Sequence, residues 1–250
     1  MDVPRQVLDG FGRLAAFLKR GRRVPVDGAM VKVNLGSALV VAPGWINVDA
    51  SLNALIAGAP APLLRLAYRW SGSRVTYSVA EYTRILRDHR FLHVNFGHGL
   101  PFEAATVDFV FASHLLEHLY LDEAARLLAE IHRVLKPGGW TRISVPDLEH
   151  AIRLYQRGDR ARALQYFFSD SRIGQLNKHQ YMYDFTLLSD ALRQAGFAEV
   201  RRCTFRNGQV PDLEVLDNRP EESLYVEARK PQASGAAEQS IELKDLTGLG

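Results

Sequence analysis

The strongest constraint on this chain is a series of short β-type runs, each bounded by turn or helix signals. Pro43 and Gly44, for example, supply a turn between the first two runs. Between residues 30 and 150 we predict five strands, at 31–35, 45–49, 91–94, 107–112 and 140–145. Two closing strands are predicted at 200–205 and 223–228.

Segments of helical spacing fill the intervals between these strands. We predict helices over 52–70, 78–90 and 122–135, and a mainly helical region over 147–196. Gly58, Pro60 and Pro62 interrupt the first of them, and Lys136-Pro137-Gly138-Gly139 closes the third. Strands that alternate with helices predict an α/β fold: a seven-stranded, mostly parallel sheet with helices on both faces.

Composition sets the class of protein and its domain limits. The 250 residues are 47% hydrophobic, which excludes a largely disordered or fibrous protein. Cys203 is the single cysteine, so an intramolecular disulfide and a four-cysteine zinc site are excluded. No apolar run reaches the length of a membrane span. We predict one main domain over residues 24–230, followed by a disordered tail over 231–250.

The first 23 residues form a separate basic segment. They carry six basic and two acidic residues, a net charge of +4, so the rest of the chain sums to −1 against an overall charge of +3. Residues 3–20 have the spacing of an amphipathic helix, which either packs on the domain or lies on an anionic membrane surface. The body offers no basic groove, which disfavours nucleic acid as a partner. We expect a cytoplasmic protein, with peripheral contact to the inner membrane face as an open alternative; the oligomeric state is left open.

Candidate ligand-binding residues follow the predicted strands, where an open α/β sheet binds its ligands. A glycine, a carboxylate, an amide, an aromatic ring and hydroxyl or imidazole groups stand there in chain order. These residues are Gly36, Ser37, Asp49, Asn95, Phe96, Ser113 and His114, with Asn34 inside the first strand. Each one alone could be a turn or cap residue. Together they suit a nucleoside, with Asp49 placed to accept hydrogen bonds from ribose hydroxyls.

The spacing of these residues restricts which class of nucleoside the site can bind. The dinucleotide motif G-x-G-x-x-G is absent, and Asp49 lies only 13 residues after Gly36. That interval is too short for a full helix, whose N-terminus would bind a pyrophosphate. A P-loop is also absent, which disfavours ATP hydrolysis. The pattern favours a nucleoside ligand without a phosphate, and S-adenosylmethionine is one.

Several motifs of this chain resemble those of one enzyme family. They are Leu100-Pro101-Phe102, Val107-Asp108-Phe109-Val110, Ser113-His114-Leu115-Leu116-Glu117-His118-Leu119 and Arg133-Val134-Leu135-Lys136-Pro137-Gly138-Gly139. In combination they resemble the core of class I S-adenosylmethionine-dependent methyltransferases of the type 11 kind. Further runs at 45–49, 145–149 and 179–185 are similar to a bacterial and archaeal subgroup of that family. The resemblance covers about residues 30–230 and implies a Rossmann-like fold.

The resemblance also implies roles for the strand-end residues. Gly36 and Ser37 would line the methionine part of S-adenosylmethionine, and Asp49 would hold its ribose. Asn95 would meet the adenine amino group, where the family more often has aspartate. Ser113 and His114 would border the methyl group and the acceptor. Ala38 departs from the family, because a further glycine usually stands in that loop.

A competing motif lies in the same stretch. His114-Leu-Leu-Glu117-His118 matches H-x-x-E-H, in which two histidines on one helix face bind zinc and the glutamate acts as a base. The motif follows a buried strand directly, so we expect His114 in the loop at the strand end and not within a helix. His118 would then pack under the sheet edge. We therefore predict no metal site.

The predicted reaction is methyl transfer to a small-molecule, sugar or lipid-linked glycan acceptor, with O-methylation favoured. A hydroxyl acceptor benefits from a base that titrates near pH 7, and His114 is the first candidate. His179 and Asp184 are the next candidates, with a structural lid as their alternative. The glycan class is implied by the resemblance alone. The competing interpretation of the whole chain is a methyltransferase-like fold that serves as a non-catalytic binding or scaffold module.

Overall fold

The computed structural model describes residues 23–26, 28–168 and 178–232. The predicted amphipathic helix over 3–20 and nearly all of the predicted tail over 231–250 lie outside these ranges. None of the helices in the described ranges combines the length and the apolar character needed to span a membrane.

The described residues form one seven-stranded sheet. Its strands are β1 (Lys32–Leu35), β2 (Trp45–Asp49), β3 (Arg90–His93), β4 (Val107–Ser113), β5 (Leu135–Pro146), β6 (Ala198–Cys203) and β7 (Ser223–Arg229). They lie in the order β3-β2-β1-β4-β5-β7-β6. Strands β1 to β5 are parallel, whereas β7 is antiparallel to both of its neighbours. The mostly parallel Rossmann-like sheet predicted from the sequence is confirmed.

The helices pack around this sheet. They are α1 (Leu52–Ile56), α2 (Ala61–Tyr68), α3 (Val79–Asp88), α4 (Leu121–Val134), α5 (Leu148–Gln156), α6 (Arg160–Phe167), α7 (Phe185–Gln194) and α8 (Leu213–Leu216). Buried residues of α4 and α7 share a core with apolar side chains of β1, β2, β4 and β5. On the opposite face of the sheet, Trp45 and Phe111 pack with residues of α8. Alternate residues of β2 and β4 thus enter different cores, as a sheet covered on both faces requires.

Two helix boundaries follow from local sequence. Ser78 and Glu81 form a reciprocal capping box at the start of α3. The predicted 52–70 helix is two helices, α1 and α2, because Gly58 at φ +79° and Pro60 separate them. The prediction of a chain break there is confirmed.

The predicted break before the fifth strand is wrong. Strand β5 begins at Leu135, and it runs through Pro137, Gly138 and Gly139. Val107 pairs with Leu135, but Phe109 already pairs with Trp140, so a bulge absorbs the residues between. Gly138 has φ +79°, which a glycine adopts without steric cost. The Pro-Gly-Gly run therefore distorts the strand without ending it.

Candidate functional site

The strand registers bring the predicted site residues to one edge of the sheet. Leu35 of β1 pairs with Val48 of β2 on one side and with Ala112 of β4 on the other. Gly36 therefore follows β1 at the level where Asp49 ends β2 and Ser113 ends β4. Asp49 also pairs with His93, the last residue of β3. This arrangement is the carboxyl edge at which open α/β sheets bind ligands.

The loop after β1 turns sharply and contains no helix. Gly36 has φ +64°, and a Cβ atom there would lie 3.1–3.3 Å from the Leu115 side chain. Ala38 also has a positive φ, of +45°. The hydroxyl oxygen of Ser37 is buried and has no hydrogen-bond partner among the described residues. The short connection predicted between the first two strands is confirmed, and it leaves a buried hydroxyl near the edge.

Asp49 fixes this loop from the end of β2. One of its carboxylate oxygens accepts a hydrogen bond from the Ala38 amide at 2.8 Å, and the other accepts one from the Ser51 amide at 2.7 Å. The residue is 8% exposed. A carboxylate has about four lone-pair sites, so it keeps capacity for two further donors. Asp49 thus orders the loop and can still accept hydrogen bonds from a ligand.

Asn34 supports the loop from inside β1. It is buried, and its amide donates to the Val40 carbonyl at 2.9 Å and to the Asn47 side-chain oxygen at 3.1 Å. Asn47 in turn donates to the Arg90 carbonyl at the start of β3. Through these contacts Asn34 helps to hold β1, β2 and the loop together.

Asn95 and Phe96 lie at the end of β3, as predicted. Phe96 begins a short 3₁₀ turn (Phe96–His98), and the Asn95 side-chain oxygen caps it by accepting from the Gly97 amide at 3.0 Å. Asn95 therefore does cap this turn, and the cap uses one lone pair of its side-chain oxygen. Its second lone pair remains for a donor such as an adenine amino group.

Ser113 and His114 end β4 in a strained turn. His114 has φ +49°, and its backbone amide donates to the Ser144 carbonyl at 2.9 Å. The Ser113 hydroxyl accepts a hydrogen bond from the Ser144 hydroxyl at 2.8 Å. The predicted place of His114 in the loop at the strand end is confirmed, since it precedes the 3₁₀ turn Leu116–His118. His114 and His118 do not share the face of an α-helix as the inverted zinc-protease motif requires.

Both ring nitrogens of His114 have close neighbours. Nε2 lies 2.8 Å from the Ser223 hydroxyl, and Nδ1 lies 3.2 Å from a carboxylate oxygen of Glu117. The Glu117 side chain is 1% exposed. Its burial raises the pKa of that carboxyl, but the contact with His114 and the charges of His114 and His118 lower it, and the balance lies below the ordinary value. Glu117 is thus a buried carboxylate behind the imidazole of His114.

The segment that begins at Lys178 contacts Glu117 and His118. The Gln180 amide donates to the Glu117 carbonyl at 2.6 Å, and the His179 Nδ1 lies 2.5 Å from the Tyr166 carbonyl. The His118 and His179 rings are 5.1 Å apart. The structure therefore brings His179 to the neighbourhood of His114. It places Asp184 as the N-cap of α7, where its carboxylate accepts from the Leu187 amide at 2.8 Å.

Two tyrosines complete the segment. Tyr181 and Tyr183 pack edge to face with ring centres 5.0 Å apart, and Tyr183 is buried against the main core. Burial, with Tyr181 and Glu117 nearby, raises the pKa of Tyr183 to about 12, so its phenol stays neutral at physiological pH. The lid alternative considered for residues 179–184 stays a prediction. Sequence reasoning missed Ser144 and Ser223, because the pairing of β5 with β4 brings Ser144 to this edge and the pairing of β7 with β5 brings Ser223 there.

The residues at this edge fit S-adenosylmethionine. Gly36 lets the backbone approach a ligand closely, and the buried Ser37 hydroxyl lacks a partner among the described residues. Asp49 keeps lone pairs for the two ribose hydroxyls. No helix follows the loop to offer its N-terminus to a pyrophosphate. The donor set therefore suits a nucleoside that carries no phosphate.

Comparison with known proteins finds a family model that matches part of the chain. Residues 66–143 match the family model described as a methyltransferase domain. This stretch includes Asn95, Ser113 and His114, and it runs from α2 into β5. Among curated proteins, no sequence matches the chain.

Solved structures with a similar fold are distant in sequence. An S-adenosylmethionine-dependent methyltransferase from Thermotoga maritima has 19% identity and a TM-score of 0.46 over 90% of this chain and 93% of its own. One from Archaeoglobus fulgidus has 14% identity and a TM-score of 0.44 over 90% and 94%. The 1,6-didemethyltoxoflavin-N1-methyltransferase of Burkholderia thailandensis, solved with S-adenosylhomocysteine, has 18% identity and a TM-score of 0.43 over 90% and 78%.

The family match and the strand order are both consistent with the resemblance seen in the sequence. The matched stretch carries the motifs that resemble the type 11 methyltransferase core, and the sheet has the predicted Rossmann-like form. Residues 66–143 thus match a methyltransferase domain, and they lie in a sheet of the form predicted from the sequence.

Proposed function

We propose that this enzyme methylates a hydroxyl group of a small-molecule, sugar or lipid-linked glycan acceptor, with His114 as the general base. The observation that carries the proposal is the pairing of His114 with a buried carboxylate at the carboxyl end of β4. Nδ1 of His114 lies 3.2 Å from Glu117, and Nε2 already contacts a hydroxyl, that of Ser223, at 2.8 Å. An acceptor hydroxyl in place of Ser223 would meet the same nitrogen.

The chemistry divides between the methyl donor and the chain. S-adenosylmethionine supplies an electrophilic methyl group when it is bound. The residues of the edge hold the two reactants in line, and orientation alone lowers such a barrier by several kcal/mol. Nε2 of His114 takes the hydroxyl proton as the oxygen attacks. Glu117 holds the ring in the tautomer with the proton on Nδ1 and stabilises the imidazolium that forms.

The choice of a hydroxyl acceptor rests on this base. Nitrogen acceptors are the competing class, and the Burkholderia neighbour is named as an N-methyltransferase. An amine that is neutral at the pH of the reaction needs positioning more than it needs a base. The glycan class comes from the resemblance to the bacterial and archaeal subgroup and from no single residue of the site.

An acceptor screen tests the proposal. The full-length chain is incubated with S-adenosylmethionine and a panel of hydroxyl acceptors (sugars and lipid-linked glycans) and of amines, and S-adenosylhomocysteine release is measured. For the acceptor found, we expect His114→Gln to lower kcat about 100-fold while the affinity for S-adenosylmethionine stays the same, because base catalysis contributes about that much. The exposed His98 gives the matched control, His98→Gln, with unchanged kcat.

Three outcomes would contradict the proposal. Turnover with amines only would replace the hydroxyl class with a nitrogen class. A His114→Gln variant with wild-type kcat would remove the general base. Binding of S-adenosylmethionine without turnover of any acceptor in the panel would favour the interpretation of the chain as a non-catalytic binding or scaffold module.

Residues 1–23 add a proposal about location. Their net charge of +4 and the amphipathic spacing over 3–20 support peripheral contact with an anionic membrane surface, where lipid-linked acceptors lie. Deletion of residues 1–23 should reduce sedimentation with liposomes that contain anionic lipid, compared with neutral liposomes. Equal sedimentation of the full chain and the deletion variant would rule this contact out.

A further inference from the structure

We propose that Glu117, His118 and His179 form a binding site for a divalent transition metal of the zinc class. One carboxylate oxygen of Glu117 and one ring nitrogen of each histidine lie within 4.8 Å of one another. This ligand set differs from the H-x-x-E-H interpretation of the sequence, which joined His114 and His118, and it departs from our prediction of no metal site. The new ligand, His179, lies 61 residues after His118 in the chain.

The hydrogen bonds of His118 and His179 leave Nε2 of each ring available to a metal. Nδ1 of His118 lies 3.1 Å from the Lys178 carbonyl, and Nδ1 of His179 lies 2.5 Å from the Tyr166 carbonyl. A carbonyl only accepts, so each Nδ1 carries its proton and each Nε2 keeps its lone pair. Metal-binding histidines usually have this arrangement, with one N–H donated to a carbonyl or carboxylate and the other nitrogen on the metal.

Glu117 supplies the negative charge. Its side chain is 1% exposed, and apart from the 3.2 Å contact with Nδ1 of His114 neither carboxylate oxygen has a hydrogen-bond partner among the described residues. Nε2 of His118 lies 3.8 Å from one of these oxygens. A buried carboxylate that faces imidazole lone pairs is costly unless a positive charge lies between them. A divalent cation supplies that charge.

The ligand chemistry indicates the class of metal. Two imidazole nitrogens and one carboxylate oxygen are a common protein ligand set for zinc, with a fourth position left for water or a substrate oxygen. Tetrahedral zinc sets its ligand atoms about 3.4 Å apart, so a closure of roughly 1 Å would bring the three atoms into place. Calcium and magnesium favour oxygen ligands and fit this set poorly.

Such a metal would connect parts of the chain that are distant in sequence. The 3₁₀ turn after β4 provides Glu117 and His118, whereas His179 lies between α6 and α7 and bonds to the end of α6 through Tyr166. The Gln180 amide already donates to the Glu117 carbonyl. The metal would fasten the aromatic segment beside His114, on the side of the site where we propose that the acceptor binds.

Zinc titration of the full-length chain tests the site. The protein is treated with a chelator, exchanged into metal-free buffer and titrated calorimetrically with ZnCl₂ and, separately, with CoCl₂ while visible absorption is recorded. We expect one equivalent of Zn²⁺ to bind, and Co²⁺ to give the absorption bands of a four-coordinate site. His179→Gln and Glu117→Gln should each weaken Zn²⁺ binding by more than about tenfold. His98→Gln removes an exposed histidine and should leave binding unchanged.

The readouts are independent of activity, so an unknown acceptor does not affect them. Circular dichroism checks that each variant is folded, and if Glu117→Gln fails to fold, His179→Gln decides. Absence of stoichiometric Zn²⁺ binding by the folded wild-type protein would overturn the site. Wild-type affinity in folded His179→Gln would also overturn it.

Discussion

Ala38 has a backbone conformation that glycine adopts more readily. Its φ is +45°, and its amide donates to Asp49 in the loop that follows β1. The left-handed region costs a residue with a Cβ about 1–2 kcal/mol, whereas glycine loses about 0.5–1 kcal/mol more in chain entropy on folding. We therefore expect Ala38→Gly to raise the free energy of unfolding by about 0.5 kcal/mol, measured by urea denaturation.

A second alanine provides the control for this substitution. Ala57 at the end of α1 has φ −55°, so Ala57→Gly gains no relief and should destabilise the protein by about 0.5–1 kcal/mol. A loss of stability in Ala38→Gly equal to that in Ala57→Gly would show that Ala38 carries no strain.

Individual site residues differ in how well the sequence predicts them. Gly36, Asp49 and Ser113 lie where predicted, because a strand-end position depends only on the strand that precedes it. The hydrogen bonds of Asn34 could not be predicted in this way, since its partners Val40 and Asn47 become neighbours only when β1 and β2 pair. The contact of His179 with Tyr166 depends on the path of the chain after α6, which no local pattern encodes.

Helix α4 is fixed to the loop after β3 by a pair of charged residues. Glu130 accepts a hydrogen bond from the Leu100 amide at 2.8 Å, and Arg133 donates to both Glu130 and the Leu100 carbonyl. The Arg133 hydrogen bond, the Leu100 amide and the nearby positive charges hold the pKa of Glu130 below its ordinary value, although partial burial acts against them. A carboxyl with a lowered pKa in the folded state stabilises the protein above its unfolded pKa, and this contribution is lost as the pH falls.

The pH dependence of stability tests this role of Glu130. At pH 7, Glu130→Gln should be less stable than the wild type by about 1 kcal/mol or less, because the pair is partly exposed. The difference should shrink as the pH falls through about 4.5, the ordinary glutamate value, and below it. Urea denaturation of both proteins between pH 3 and pH 7 measures it. A difference that is constant over this range would contradict the ion-pair role.

Element boundaries follow the sequence where local chemistry sets them. Ser78 and Glu81 mark the start of α3, and the predicted helix began at Ser78, its N-cap. The start of β5 was missed because Gly138 and Gly139 are typical of a turn, whereas pairing with β4 keeps the strand continuous across a bulge. The short helix α8 has too few residues to show a period.

Arg142 connects the far side of the sheet to the chain that follows β6. It is fully buried in β5, and its guanidinium bonds to both carboxylate oxygens of Asp217 at 3.1 and 2.5 Å and to Glu227 at 3.4 Å. It also donates to the carbonyls of Thr204 and Asn207. Such a buried charge needs its partners, so removing one of them is strongly destabilising.

Asp217→Asn should destabilise the whole domain. We expect a loss of about 3 kcal/mol, because the variant leaves the buried guanidinium with an incomplete set of negative partners. In a thermal melt this corresponds to roughly 6–12 °C for a chain of this size. Asp190→Asn removes the same charge from an exposed pair with Arg193 and should change stability by less than about 0.5 kcal/mol. Equal melting temperatures of the two variants would contradict a structural role for the buried network.

The topology as a whole was only partly predictable. Alternation of strands and helices predicts a mostly parallel sheet, because a helix that connects two strands returns the chain to the same end of the sheet. The insertion of β7 between β5 and β6 is not visible in the sequence. It depends on which strand edges remain open late in the chain, and it is what brings Ser223 to His114.

The central claim is that the carboxyl edge of β1 and β2 binds S-adenosylmethionine, and calorimetric titration tests it most directly. The purified chain is titrated with S-adenosylmethionine and S-adenosylhomocysteine, with Asp49→Asn as the variant, since it keeps the size of the side chain but removes the carboxylate that would accept from the ribose. The account predicts saturable binding of one equivalent of each ligand, weakened at least about tenfold in Asp49→Asn, as expected when a charged hydrogen bond worth about 1.5–3 kcal/mol is lost. Failure of the folded wild-type protein to bind either ligand, or equal affinity in folded Asp49→Asn, would contradict it.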